Sequence, residues 1–188
     1  MNVNAESFPR RHRITVEDYH RMGEAGIFSE DDRVELIEGE VIDMAPIGSK
    51  HANTVDEFVQ LIARQLPKKG RLRVQNPVLL NDGSEPQPDL AIVANRSYSA
   101  AHPSPEDILL LIEVADTSLE YDRSVKIPLY GRHGIPEVWL VDLESRTVEV
   151  FREPSAEGYR ALQRHGAGEH LKPLALPEID VDLTEVLD

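Results

Sequence analysis

Apolar residues recur along this chain at two alternating periods, one near that of a helix and one near that of a strand, and the alternation predicts the architecture. Thr15 followed by Asp18 has the pattern of a capping box and opens a short helix carrying Tyr19 and Met22, which Gly23 and Gly26 end. Arg33 to Glu38 and Glu40 to Ala45 then read as two strands flanking Gly39, the simplest form of which is a hairpin. Ser49 is expected to cap the next helix, whose apolar residues Val55, Phe58, Val59, Ile62 and Leu66 fall at helical spacing until Pro67 and Gly70 stop it. His51 shares that apolar face.

Leu72, Val74, Val78 and Leu80 lie on alternate positions, with Asn76 interrupting, and predict a strand that the turn-rich stretch NDGSEPQP at 81–88 closes. Asp89 to Ala94 is a second short strand. Asp107 to Ala115 is apolar on both faces, as a strand in the centre of a sheet must be. Asp122 to His133 is expected to be helical and kinked at Pro128, with Gly134 and Pro136 ending it. Val138 to Leu143 and Thr147 to Arg152 form two more strands, Tyr159 to Gln163 a weak one, GAGEH at 166–170 a loop, and a proline-punctuated tail follows. The expectation is an α/β fold with a mixed central β-sheet flanked by helices, one domain over residues 1–188, with 1–14 as a flexible arm.

Composition narrows the function. The 188 residues carry 20 Lys and Arg against 34 Asp and Glu, a net charge of −14, and no cysteine. Disulfides and thiolate metal sites are excluded, and no apolar run is long enough to span a membrane. The first residues lack the order of a secretory signal, so the chain reads as cytoplasmic. A chain this acidic repels nucleic acid as a whole. Two basic clusters stand against that background: Arg10, Arg11, His12 and Arg13, and Lys68, Lys69, Arg71 and Arg73. Each is either a positive patch or an ordinary solvated face. Phosphate-cradling glycine loops, a serine-hydrolase elbow and paired histidines at helical spacing are all absent from the sequence.

The candidate chemistry begins with Glu113, which interrupts the most apolar strand of the chain. Burying a lone carboxylate is costly unless a cation or strong donors compensate. Its parity sets it on the face of Leu111 and Ala115, and Asp89 starts the other apolar strand directly after Pro88. If those strands are neighbours, two carboxylates converge, and such a pair suits a hard cation, Mg²⁺ or Mn²⁺. Lys126 would orient the attacking water or stabilise charge on the phosphoryl group, and Glu35 is the natural additional acid. The same residues have plainer readings: Asp89 as a turn cap, Glu113 as the partner of a buried Arg or Lys, Lys126 as a surface lysine. His51 either reaches the site from its helix or is satisfied by a backbone group. Trp139 reads as core, and Glu137 and Tyr130 as groups supporting the site from behind.

Four blocks in this order, VELIEGEVI at 34–42, SEPQPDLAIV at 84–93, LLIEVADTS at 110–118 and YDRSVKIPLYGRHGIPEVWLVDL at 121–143, resemble the PD-(D/E)XK nuclease superfamily and, within it, the Uma-two family of endonucleases. The resemblance covers most of the chain. It implies a restriction-endonuclease-like core, Mg²⁺-dependent (or Mn²⁺-dependent) cleavage of phosphodiester bonds in nucleic acid, most plausibly DNA, and a symmetric homodimer. It further implies that Asp89 and Glu113 bind the metal with the Val114 carbonyl as a further ligand, and that Glu35 matches the acidic residue of the first block. Ala115 departs from the pattern by occupying the place of the superfamily's lysine, a role the resemblance moves to Lys126. The alternative is a nuclease-like fold that no longer cuts and serves as a binding or interaction module.

Overall fold

The computed structural model describes residues 11–29, 31–81 and 83–187. Its centre is a six-stranded sheet in the order β3-β4-β5-β6-β7-β8, comprising Gly70–Val74, Leu90–Ala94, Ile108–Ala115, Glu137–Asp142, Thr147–Ser155 and Gly158–Gly166. Only β5 and β6 run parallel, because the helical segment between them crosses over the sheet; the other neighbours are antiparallel, so the sheet is mixed. β5 is interior and closed to solvent on both faces, which accounts for its unbroken apolar run.

Two layers cover the sheet. Helix α2 (Ser49–Gln65) lays Val55, Phe58 and Ile62 on the face that carries Leu90, Ile112 and Trp139. The opposite face carries Ala91, Leu111, Ala115 and Leu140 and is covered by a helical rod made of α3 (Leu119–Tyr121), a wide turn over Asp122–Lys126 and α4 (Ile127–Arg132). The helix is irregular just ahead of Pro128: the chain widens there, Ile127 donating to Asp122 O five residues back. Among the described residues, no helix is long and apolar enough to cross a membrane.

The hairpin β1 (Val34–Ile37) and β2 (Glu40–Asp43) stands apart from the main sheet, and Leu36 makes an isolated bridge to Glu85 in the segment before β4. Its turn takes positive φ at both central residues, Glu38 (48°) and Gly39 (77°), the conformation that matches strand twist. A side chain at Gly39 would also strike Arg13 Cβ at 2.7 Å, because residues 13 and 14 lie on this turn, with Ile14 donating to Gly39 O. Of the basic cluster at 10–13, Arg10 lies outside the described residues. Arg11 and Arg13 both pair with Glu40.

The first helix, α1 (Val16–Glu24), opens on the Thr15–Asp18 capping box read from the sequence. For α2 the cap is Gly48, and Ser49 is the first helical residue with no capping bond from its side chain. The strand expected over Leu72 to Leu80 ends at Val74. Gln75 takes φ of 48° and turns the chain away, so Val78 and Leu80 are buried but bond to Pro86 and Ser84 of their own return segment. The tail also contains more than its prolines suggested. β9 (His170–Leu171) pairs with β10 (Val181–Asp182), and α5 (Leu183–Leu187) completes the layer around α2 with Leu183, Val186 and Leu187. β7 and β8 extend beyond their expected ends, and Gly166 and His170 of the expected 166–170 loop belong to strands.

Helix α4 approaches β8 so closely that a Cβ on Gly131 would lie 2.3 Å from Gly158 O. Backbone meets backbone there, so Gly131→Ala is expected to destabilise the protein by roughly 1–3 kcal/mol, read as a lower urea midpoint at unchanged slope. On the same face of the sheet, Arg123 and Arg164 both hold the buried Glu149 carboxylate, and although burial raises its pKa these partners bring it below the usual range. A depressed folded pKa contributes stability above the unfolded value and loses it as pH falls through the folded one. Glu149→Gln should therefore be less stable than wild type at neutral pH, with the gap narrowing in acid when melts are run across that range.

Candidate active site

Sheet register brings the acids together. β4 and β5 are antiparallel neighbours with Leu90 opposite Ile112, so Asp89, one residue before β4, lies beside the end of β5. There its Oδ2 accepts the Val114 N–H at 2.9 Å, and its backbone carbonyl accepts from Gln75 at 2.8 Å. Glu113 points to the face under α4, where the Tyr130 hydroxyl donates to its Oε1 at 2.5 Å and the Lys126 ammonium lies 2.8 Å from the same oxygen. Glu35 arrives from β1, accepting the Gln87 N–H at 3.0 Å and lying 3.4 Å from Lys126 Nζ. Lys126 is thus a fully enclosed ammonium between two buried carboxylates, not a surface lysine.

Glu35, Asp89, Glu113, Val114 and Lys126 all line one cavity of about 250 Å³. His51 lines it as well. Its Nε2 meets Asp89 Oδ1 at 3.0 Å, so a carboxylate satisfies this half-buried ring, while its Nδ1 is buried with no hydrogen-bond partner among the described residues. Sequence reasoning passed over Asp122 and Tyr121, which also face the cavity from the wide turn and the residue before it. Their spacing from Lys126 was visible, but only the turn's geometry shows which side they face. Glu137 does not support the site: it sits at the opposite end of β6, bound to Arg152, the Trp139 indole and the Leu174 N–H. Trp139 is core, its ring 6.5 Å from that of Phe58.

Two acids of the cavity, Glu113 and Asp122, have raised pKa values. Burial pushes the Glu113 carboxyl up to about 8, with Asp122 and Asp89 adding to the rise against the pull of Lys126. Burial opposes charge on Lys126 too, yet Glu113, Tyr130, Glu35 and Asp122 together raise it well above an ordinary lysine. Asp122 is also raised by burial, though Ser118 donates to it. Asp89 is the exception. Burial raises it, but the bonds from His51 and Val114 and the charge of Lys126 bring it below its ordinary value and keep it ionised.

Among the described residues, no three His, Asp or Glu side chains form a ready cage for a metal ion. From β5 and the residue that leads into β4 come the carboxylates of Glu113 and Asp89, and Val114 lies between them in a cavity with room for water. That set fits a hard cation of the Mg²⁺ type, which keeps most of its waters and takes one or two protein carboxylates, and it does not fit an all-protein cage. At the cavity, Arg33 is accompanied by the exposed Asp43 and Asp116, so the rim is not positive.

A mixed sheet flanked by helices, with acids from β5 and from the residue that leads into β4 and a lysine from the helical rod meeting in one cavity, fits the restriction-endonuclease-like class. The model of the family described as "Uma2: Putative restriction endonuclease" matches residues 16–184, and the chain belongs to that family. The fold is also similar to the crystal structure of "a putative nuclease belonging to DUF820" from Anabaena variabilis ATCC 29413, with a TM-score of 0.70 at 18% sequence identity over 93% of this chain and 97% of that one. No curated protein matches the chain.

Removing one member of a buried ion pair strands the other, at a cost of about 3–5 kcal/mol. Lys126→Met should show a loss of that order in urea denaturation, and adding Glu113→Gln should return part of it. Strictly additive losses would mean that the ammonium and the Glu113 carboxylate do not depend on each other.

Proposed function

We propose that this protein is a metal-dependent nuclease that hydrolyses phosphodiester bonds in DNA. The observation that carries the reading is the meeting of Asp89, Glu113 and Lys126 from three separate elements in one cavity. Structural needs alone call for one buried pair, Glu113 with Lys126. They do not call for an ionised Asp89 facing the same space.

In this reading Asp89, Glu113 and the Val114 carbonyl hold Mg²⁺ or Mn²⁺. When bound, such a cation polarises a phosphoryl oxygen and lowers the pKa of a coordinated water. Lys126 supplies positive charge where negative charge develops on the phosphoryl group, and its enclosure strengthens that interaction. Glu35 also holds Lys126, and Tyr130 fixes Glu113 Oε1, leaving the carboxylate's other oxygen for the cation. Ala115 lies on the same strand face as Glu113, and the charge the superfamily places there comes from the helix instead. Cleavage of both strands of a duplex calls for two such sites, so the active form in this proposal is a symmetric homodimer.

A second reading, an inactive nuclease-like interaction module, draws on two observations: Lys126 is already flanked by two carboxylates, and the rim is acidic. One experiment separates the two. Calorimetric titration of Mg²⁺ and Mn²⁺, followed by plasmid nicking, should give binding and metal-dependent nicking with wild type. Asp89→Asn and Glu113→Gln should lower nicking by at least about a hundredfold, the scale of losing one preorganised catalytic group, with unchanged circular dichroism. A folded wild type that binds neither metal would leave the carboxylates structural and favour the interaction module.

A further inference from the structure

The acidic rim leaves open how a polyanion approaches this cavity, and the cations that lack a carboxylate partner indicate a path. Most arginines and lysines here are neutralised locally: Arg96 by Asp107, Lys69 by Glu178, Arg132 by Glu38 and Arg152 by Glu137. Lys68, Arg71 and Arg73 have no ion pair among the described residues, and they lie together on and just before β3, the outermost strand of the sheet. In a chain with a net charge of −14 these three belong to the second basic cluster of the sequence, of which Lys69 alone is paired among the described residues.

Register sets its direction. Arg71 and Arg73 lie opposite Val93 and Ala91, which belong to the sheet face toward which Glu113 points. The next residue of that series, Gln75, donates to Asp89 through both its backbone N–H (2.8 Å) and its side chain (3.3 Å). From the cavity the row therefore runs Asp89, Gln75, Arg73, Arg71. The two guanidinium groups spring from positions about 7 Å apart along the strand, far enough for each to meet its own phosphate.

Arg73 is also oriented in advance. The Tyr98 ring lies beneath its guanidinium at 5.6 Å and beneath that of Arg96 at 5.0 Å, while Tyr98 is itself anchored through its hydroxyl to Ala94 O. Arg73 Nε is buried and has no hydrogen-bond partner among the described residues. A guanidinium held on an aromatic face and free of carboxylates is suited to a phosphate.

We infer that the β3 edge, through Arg71 and Arg73 with Lys68 beyond them, is the track along which the phosphate backbone of one strand of duplex DNA lies as it leads to the Asp89–Glu113 cavity. This rests on the nuclease reading for its occupant.

The test is equilibrium binding of a fluorescein-labelled duplex by anisotropy across a salt series, with Ca²⁺ in place of Mg²⁺, alongside the nicking assay. Each phosphate neutralised contributes about 0.9 to the slope of log K against log salt. The Arg71→Gln/Arg73→Gln double variant should bind at least about tenfold more weakly at low salt and lose about 1.8 from the slope. Arg71→Gln alone should lose about half of that, and since Arg71 is exposed and makes no ion pair, folding does not confound it. Arg160→Gln, an exposed cation on the opposite edge strand β8, should change neither quantity. An unchanged slope in the double variant, or an equal loss from Arg160→Gln, would overturn the track even if Asp89 and Glu113 prove essential for nicking. Duplex binding that depends on Arg71 and Arg73 without any nicking would uphold the track and remove the nuclease reading. A wild type that does not bind duplex removes the track outright.

Discussion

Everything around the cavity answers to one constraint: a carboxylate, Glu113, stands in the driest strand of the sheet. Water cannot solvate it there, so the protein must supply either a counter-charge or a proton. Lys126 and Tyr130 converge on one of its oxygens, and both come from the helical rod that crosses between β5 and β6. That crossover is also what makes β5 and β6 parallel and interior. The packing that buries Glu113 and the groups that make its burial tolerable are thus consequences of the same connection.

The ion pair does not close its own account. Lys126 also lies near Glu35, while Asp122 and Asp89 are close enough to raise Glu113 further. An interior with more acids than cations keeps protons that it would lose in water, unless something positive enters. This asymmetry separates the cluster from the structural pairs elsewhere in the fold. Glu149, held by two arginines, and Glu137, held by Arg152 and two N–H donors, are satisfied by their neighbours.

Charge is distributed unevenly over the outside as well. A chain with so large a negative excess would be a poor partner for a polyanion if its cations were spread evenly and paired. Here pairing removes most of them from consideration, and three of those that remain stand together on and beside the β3 edge, whose far end lies near Asp89. The left-handed turn at Gln75 ends β3 there and brings that edge to Asp89.

How far the sequence reached can be judged residue by residue. Period and punctuation determined the capped first helix, the hairpin at Gly39, the apolar face of α2 and the interior place of 108–115, because each depends on neighbours within a few positions. The anomaly of Glu113 was legible for the same reason, since an acid in a two-sided apolar run needs no partner to look wrong. Tertiary structure decided what lies far along the chain: which oxygen of Glu113 meets Lys126, that His51 faces Asp89 and Glu137 does not serve the site, and that Asp122 and Tyr121 turn inward on a wide helical turn. It also decided that the tail closes the core through β9, β10 and α5, whose short and irregular apolar spacing carries no period of its own. Local propensity acts over a few residues, whereas burial and ion pairing are set by what packs against a side chain from elsewhere, and only the folded chain brings those groups together.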